Sequence, residues 1–498
     1  MTSRRSFLGG GAATLAAPLV RAQQKRPNIL FVIADDWGRG HAGAYGCEWV
    51  RTPSFDRVAR EGVLFTNCFT SNPKCSPSRA SILTGRNAWQ VKEAMVHYSI
   101  LPRDYAAFPA LLEAAGYATG HTGKGWGPGD FTTTGWPHNP AGRPFQERRT
   151  AAPHSGINTC DYASNFEDFL NARPAGRPFC FWMGGYEPHR VYEAGAGIRA
   201  KRDPRAVRVP AYYPDQPLIR SDLLDYAMEL EHFDSHLGRA LTALEQRGEL
   251  ENTLVAVTSD NGMPFPRAKA HIYEDGFHLP LAVRFGGQAA GGRTVTDFIQ
   301  MRDFAPTFLE AAGVDRPASM TGRSFLDVLR ASRSGTVDAT RNVALAGKER
   351  HDLGRPGDAG YPVRAIRTPD WLYVRNYEPD RWPSGNPETG YRECDDSPTK
   401  EYLLARFDEY YRLSFGKRPA EELYDVRTDP ECVRNVAGAS VHGSLMAGLR
   451  ARMEGMLREE GDPRFNGNAA FYDNIRYTGS RSHAWDTWER FRGAEGKR

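Results

Sequence analysis

Ser71-Asn72-Pro73-Lys74-Cys75-Ser76-Pro77-Ser78-Arg79-Ala80-Ser81-Ile82-Leu83-Thr84-Gly85-Arg86 is the stretch around which the chain is organised. Pro77 suits the first turn of a helix, because that turn has no use for the N–H that proline lacks. Ser76 is placed to cap the helix. Cys75 then stands at a helix N-terminus, where backbone N–H groups and the helix dipole favour an anion. Arg79 follows about one turn later, where its side chain can lie beside Cys75. A buried structural cysteine is the plain alternative, since free cysteine commonly behaves as a small hydrophobe. Segments elsewhere in the chain decide between the two.

Upstream, Pro27 to Ala34 is a short continuous apolar run and reads as a buried parallel strand. It ends in Asp35-Asp36. An α/β sheet places its ligands at the carboxyl ends of such strands, and hard carboxylate oxygens suit Ca²⁺ or Mg²⁺. A simple polar exit from the strand is the competing reading. Thr52 to Ala59 opens a helix and Gly62 to Phe65 the next strand. Phe108 to Ala115 is a helix stopped by Gly116, and Tyr117 to His121 is a strand. Phe179 to Met183 is another apolar strand, followed by Pro188-His189-Arg190. Ser221 to Gly248 is the clearest helix, with Leu223, Ala227, Leu230, Phe233, Leu237, Leu241 and Leu244 forming a core stripe. Leu254 to Thr258 is a further strand, ending in Ser259-Asp260-Asn261-Gly262, and Gln300 to Gly313 is a helix. These repeating units predict an α/β fold with a large, mostly parallel sheet between helices. Near residue 340 the pattern changes. Tyr361 to Arg367 and Trp371 to Asn376 read as a β-hairpin.

At 498 residues the chain is long enough for one large domain and a smaller one, here 25–340 and 341–498. A net charge of +4 with no Lys/Arg block argues against nucleic acid as a partner. Residues 1–24 read as a twin-arginine (Tat) export signal. Arg4-Arg5 precede a Gly/Ala-rich apolar run, and Val20-Arg21-Ala22 resembles a cleavage site. That predicts Tat translocation to the periplasm or outside. No run approaches 18 apolar residues, so no stable membrane insertion is expected. Of the seven cysteines, the six besides Cys75 could in part pair outside the cytoplasm, with a connectivity that spacing does not define.

Cys75-Ser76-Pro77-Ser78-Arg79 with Thr84-Gly85-Arg86, flanked by Asp35-Asp36 and Asp260-Asn261, resembles the signature of the type I sulfatases. The resemblance runs over about residues 27 to 440 and implies the alkaline-phosphatase/sulfatase-like fold, with Glu422-Leu423-Tyr424-Asp425 resembling the end of the family's smaller C-terminal subdomain, a short antiparallel sheet with a helix. It implies that a formylglycine-generating enzyme oxidises Cys75 to 3-oxoalanine (formylglycine), an aldehyde. It implies that Asp35, Asp36, Asp260 and Asn261, with residue 75, hold one Ca²⁺, or Mg²⁺. A hydroxyl of the hydrated aldehyde would attack sulfur while Arg79, Lys124 and Lys269 neutralise the sulfuryl oxygens and His189 protonates the leaving group. A second hydroxyl on the same carbon would let the sulfated intermediate release sulfate.

One position departs from the family pattern: where Gly-Lys-x-His is usual, Trp126 stands in place of the histidine. His121, two residues before this motif, reads as structural. Arg190 and His271 are further candidates for substrate contact. His351-Asp352 and the loop Trp382 to Glu388 are candidates for lining a sugar pocket. Cys75 to Gly85, the Asp260 to Pro266 turn and the His351-Asp352 region look most similar to N-sulfoglucosamine sulfohydrolases. The substrate would then be a sulfated saccharide whose leaving group is an amine. An O-sulfatase, a phosphatase or phosphonate monoester hydrolase, and a non-catalytic sulfoglycan-binding protein with unmodified Cys75 are the alternatives.

Overall fold

The computed structural model describes residues 26–482 and 484–489. The export-signal reading at 1–24 therefore lies outside the described residues. In chain order the strands are β1 (Asn28–Ala34), β2 (Val63–Phe69), β3 (Ser99–Ile100), β4 (Ala118–Gly123), β5 (Gly129–Asp130), β6 (Phe179–Gly184), β7 (Thr253–Ser259), β8 (His278–Phe285), β9 (Arg293–Gln300), β10 (Ala344–Lys348), β11 (Val363–Arg367), β12 (Trp371–Asn376) and β13 (Glu421–Asp425).

Seven of these form the main sheet, in the order β4-β6-β1-β7-β8-β2-β9. The block β4-β6-β1-β7 is parallel throughout. β8 runs antiparallel between β7 and β2, and β2 pairs parallel with β9. Every residue of β1 is buried, because both faces of the sheet are covered. Leu30, Val32 and Ala34 enter one core with Phe166 of the helix Tyr162–Ala172 and the apolar stripe of the helix Pro217–Gln246. Ile29, Phe31 and Ile33 enter the other, with Ile82 and Leu83 of the helix Cys75–Thr84 and with Phe304 and Phe308 of the helix Phe304–Ala311. This is the two-sided α/β sandwich expected from the continuous apolar strands.

The hairpin read at 361–376 is β11 and β12, within the antiparallel sheet β10-β11-β12-β13. β3 and β5 make a separate two-stranded ribbon. The helix Gly443–Glu459 packs Met446, Leu449, Met453 and Leu457 into a core shared with Leu345, Ile366 and Tyr373 of the small sheet. On the same face of β11 as Ile366, Arg364 donates to both oxygens of buried Asp462, at 2.6 and 3.0 Å.

Some local expectations differ from the structure. Ser76 does not cap: Lys74 is the extended N-cap residue and the helix already includes Cys75. The long helix begins at Pro217, before Ser221, because proline is accepted in the first turn. The segment read as one helix from Gln300 starts as a 3₁₀ turn, Met301–Asp303, before the α-helix. All seven cysteines are free thiols, so no disulfide forms.

Candidate active site

Parallel pairing explains why distant segments meet. β1, β4, β6 and β7 all point the same way, so their carboxyl ends share one edge of the sheet. Asp35 follows β1, Lys124 follows β4, His189 lies shortly after β6 and Asp260 follows β7. The first turn of Cys75–Thr84 presents Cys75 to that edge. Its Sγ lies 3.4 Å from Asp35 Oδ1 and 4.0 Å from Asp36 Oδ1. Consecutive strand residues normally face opposite sides. Asp36 avoids this with φ 78°, a left-handed conformation that Asp tolerates better than most residues, and so both carboxylates face Cys75.

Three cations are bonded to these carboxylates. Arg79 donates through Nε to Asp260 Oδ2 at 2.7 Å and lies 3.5 Å from Asp35. Lys124 Nζ donates to Asp35 at 2.6 Å, and Lys269 Nζ to Asp36 at 2.6 Å. Asn261 Nδ2 donates to Asp36 Oδ1 at 2.6 Å. His189 Nδ1 donates to the Arg190 carbonyl at 2.6 Å, leaving Nε2 facing Asp36 at 3.8 Å. The structure thus brings all nine sequence-predicted residues to one place: Cys75, Arg79, Lys124, His189, Lys269, Asp35, Asp36, Asp260 and Asn261.

A hard divalent cation fits this set. One oxygen from each of Asp35, Asp36 and Asp260 lies within 4.8 Å of the other two, and all three residues are buried. The buried Asn261 Oδ1 has no hydrogen-bond partner, an orphan acceptor that a cation would satisfy. Burial opposes ionisation of Asp35, but Lys124 prevails and brings its carboxyl down to about 2. Burial holds Asp260 above the usual carboxylate range in spite of Arg79. Burial, then the Asp35 carboxylate, pushes the Cys75 thiol well above its ordinary range. Such a thiol stays protonated and is a poor nucleophile.

The cleft over Cys75 has a volume of about 410 Å³ and is lined by Asp35, Lys124, Tyr98, Tyr186, Glu187 and His189 among others. A larger cleft of about 490 Å³, lined by Arg39, Tyr45, Arg208 and Glu431, contains none of the nine residues. Trp126 is buried and donates its indole N–H to the Ser76 carbonyl at 3.1 Å. His121 is buried in β4 with Nδ1 on the Gly142 carbonyl, as its structural reading expects. Arg190 borders the cleft, but its guanidinium is spent on both oxygens of Asp222, at 2.7 and 2.8 Å, which limits it as a substrate contact. His271 is turned away to Ser384 Oγ at 2.9 Å. His351 is buried against Asn72 Oδ1, and Asp352 pairs with Lys74 and His97 behind the cleft wall. From the Trp382 loop, the Trp382 carbonyl accepts from Arg355 at 2.8 Å.

Sequence reasoning missed Asp395. Its carboxylate lies 2.9 Å from Lys269 Nζ, and one of its oxygens is within 4.8 Å of a His189 nitrogen and an Asp36 oxygen. Asp395-Asp396 is an acid pair like Asp35-Asp36, but no apolar strand leads into it, so no local signal marked it.

An α/β sheet edge with clustered carboxylates, opposed cations and a helix-borne Cys75 defines a hydrolase site for an anionic ester or amide. Residues 27–314 match the Sulfatase family, and the chain belongs to that family. It is a sulfatase, a hydrolase of sulfuric esters or sulfamates. It is 28% identical to human N-sulphoglucosamine sulphohydrolase, over 91% of this chain and 93% of that protein. It is 26% identical to an ulvan-active sulfatase of Formosa agariphila, over 88% of this chain and 76% of that one. Among solved structures, one in complex with its substrate D-glucosamine-2-N,6-O-disulfate superposes with TM-score 0.65 at 21% identity, covering 91% of this chain and all of that one. A phosphonate monoester hydrolase from Silicibacter pomeroyi superposes with TM-score 0.66 at 18% identity, over the same shares. Both structural likenesses concern the fold. Among the described residues, no helix is long and apolar enough to cross a membrane.

Proposed function

We propose that this sulfatase hydrolyses sulfate esters or sulfamates on carbohydrates through a formylglycine made from Cys75, with N-sulfoglucosamine-type sugars as substrates. The surroundings of Cys75 carry this reading. A buried thiol that would be unreactive as such stands 3.4 Å from Asp35, within a ring of Arg79, Lys124, Lys269 and His189. The likeness to the human N-sulphoglucosamine enzyme supports the substrate class.

Asp35, Asp36, Asp260 and Asn261, with residue 75, would hold Ca²⁺ or Mg²⁺. The hydrated aldehyde and the cation, when present, supply an acidified oxygen nucleophile at position 75. Lys124 and Lys269 reach into the site from either side and bind the sulfuryl oxygens, where their charge counts most as negative charge builds up. Arg79, wholly buried, holds Asp260 and Asp35 in place and adds its own charge. His189, oriented by its Nδ1 bond to Arg190, delivers a proton from Nε2 to the leaving atom. Residues 25–340 form the catalytic part and 341–498 the C-terminal part. The twin-arginine leader supports export through the Tat translocase after a formylglycine-generating enzyme has acted.

The test is to produce the protein together with its maturation enzyme, take the mass of the peptide holding Cys75, and assay matched sulfamate, sulfate, phosphate and phosphonate substrates. An aldehyde at 75 with sulfate release is the expected result. An intact thiol with glycan binding and no turnover would make the chain a binding protein. Faster phosphate or phosphonate hydrolysis would overturn the sulfate assignment.

A further inference from the structure

Asp395 is a carboxylate that the mechanism above does not use, yet it stands beside the proton donor. One of its oxygens, one of Asp36 and a ring nitrogen of His189 lie within 4.8 Å of one another. Asp36 is already engaged by Lys269 and Asn261, at 2.6 Å each. Asp395 has only Lys269 Nζ, at 2.9 Å, as an ion-pair partner among the described residues, and its side chain keeps 22% of its exposure. Its position is built rather than loose. The neighbouring Glu393 is buried and takes Arg355 and Lys348, each at 2.6 Å. Lys400 Nζ donates to the Cys394 carbonyl at 2.8 Å and to Asp396 at 2.8 Å. The buried Glu393 ion pairs on one side and the Lys400 bond to the Cys394 carbonyl on the other therefore hold the Asp395 backbone against the site.

The two leaving groups open to this enzyme differ at one atom. The bridging oxygen of a sulfate ester has lone pairs and no hydrogen, whereas the bridging nitrogen of a sulfamate carries an N–H. An ionised carboxylate can only accept hydrogen bonds. Beside an ester oxygen it meets lone pairs; beside a sulfamate nitrogen it accepts a charge-assisted bond. We propose that Asp395 is the residue that selects sulfamate over ester, by accepting the N–H of an N-sulfated amino sugar while His189 protonates the same nitrogen. In that step the sulfur–nitrogen bond breaks as the oxygen nucleophile at position 75 bonds to sulfur. The bonding pair stays on nitrogen and takes one proton from His189 Nε2, so the sugar leaves as an amine with two N–H groups. Asp395 accepts one of these throughout.

This inference rests on the sulfatase reading and deepens it. The test uses the matured full chain and compares kcat/KM on N-sulfoglucosamine and glucosamine 6-O-sulfate for wild type, Asp395→Asn and Asp395→Glu. The aldehyde content and melting temperature of each variant are measured alongside. Asp395→Asn is expected to lower sulfamate kcat/KM on the order of tenfold or more, the loss of a charge-assisted bond. The ester rate should be spared or raised, and Asp395→Glu should recover part of the sulfamate preference. Equal losses on both substrates, with wild-type sulfamate turnover intact, would show that Asp395 only positions Lys269 and would overturn this proposal alone. A wild type that hydrolyses the ester and not the sulfamate would overturn the substrate class of the proposed function, and the selector role with it.

Discussion

Trp126 donates its indole N–H to the carbonyl of Ser76 at 3.1 Å, directly beneath the turn that carries Cys75. Where the family pattern has a histidine, this chain has a buried apolar strut. Trp126→Phe removes that bond but keeps most of the packing, and should cost about 1 kcal/mol. Trp126→His leaves a cavity and should cost about 3 kcal/mol or more. Both should lower kcat by loosening the first turn of the helix. Thermal unfolding with steady-state kinetics checks this. A Trp126→His variant as stable as wild type and faster would show that the position wants a polar partner.

Three buried carboxylates converge at the sheet edge, and the acceptor Asn261 Oδ1 is orphaned. Ca²⁺ at a hundredfold excess over its Kd should stabilise the folded chain by about 3 kcal/mol. A chelator should lower the melting temperature and added Ca²⁺ restore it, while Asp260→Asn should shrink the response. Melting that ignores both chelator and Ca²⁺ would remove the cation from this site.

If His189 protonates the leaving atom, its importance grows with leaving-group basicity. His189→Ala should cost about 10² to 10⁴ in kcat on an amino-sugar sulfamate. On a nitrophenyl sulfate, which leaves without help, the loss should be much smaller. Equal losses on both would place His189 in binding rather than proton transfer.

Glu229 lies inside the long helix Pro217–Gln246 with both carboxylate oxygens unpartnered, the nearest cation candidate being His154 Nδ1 at 3.8 Å. Burial, then the nearby Glu187 and Asp225, raises its pKa from 4.5 to about 9. The folded state therefore binds the proton more tightly than the unfolded state. This contribution to stability is full below 4.5 and falls as pH rises to about 9. Glu229→Gln should flatten that part of the profile and leave the protein relatively more stable at pH 9, read by urea unfolding across the range. An unchanged slope would assign the pH dependence to other groups.

Much of the architecture is legible in short stretches. The continuous apolar runs of β1, β6 and β7 call for strands buried on both faces, and Asp35-Asp36 and Asp260-Asn261 mark where two of them exit. The helix that begins at Cys75 is legible as well, although its cap is not. Ser76 is the second residue of the helix with its hydroxyl unpartnered, and Lys74, extended at the end of the preceding loop, takes the N-cap position.

Short-range signals specify the sandwich, the strand exits and the helix start, because strand and helix periodicity and turn chemistry act over a few residues. Tertiary structure alone decided that Arg190 is spent on Asp222, that His271 turns to Ser384, and that Trp126 braces Ser76. It also decided that Asp395 reaches Lys269, from a loop anchored by Glu393 on Arg355 and Lys348. These contacts join residues far apart in the chain. They form only once parallel pairing has brought the strand ends to one edge and buried charges have sought the partners that desolvation requires.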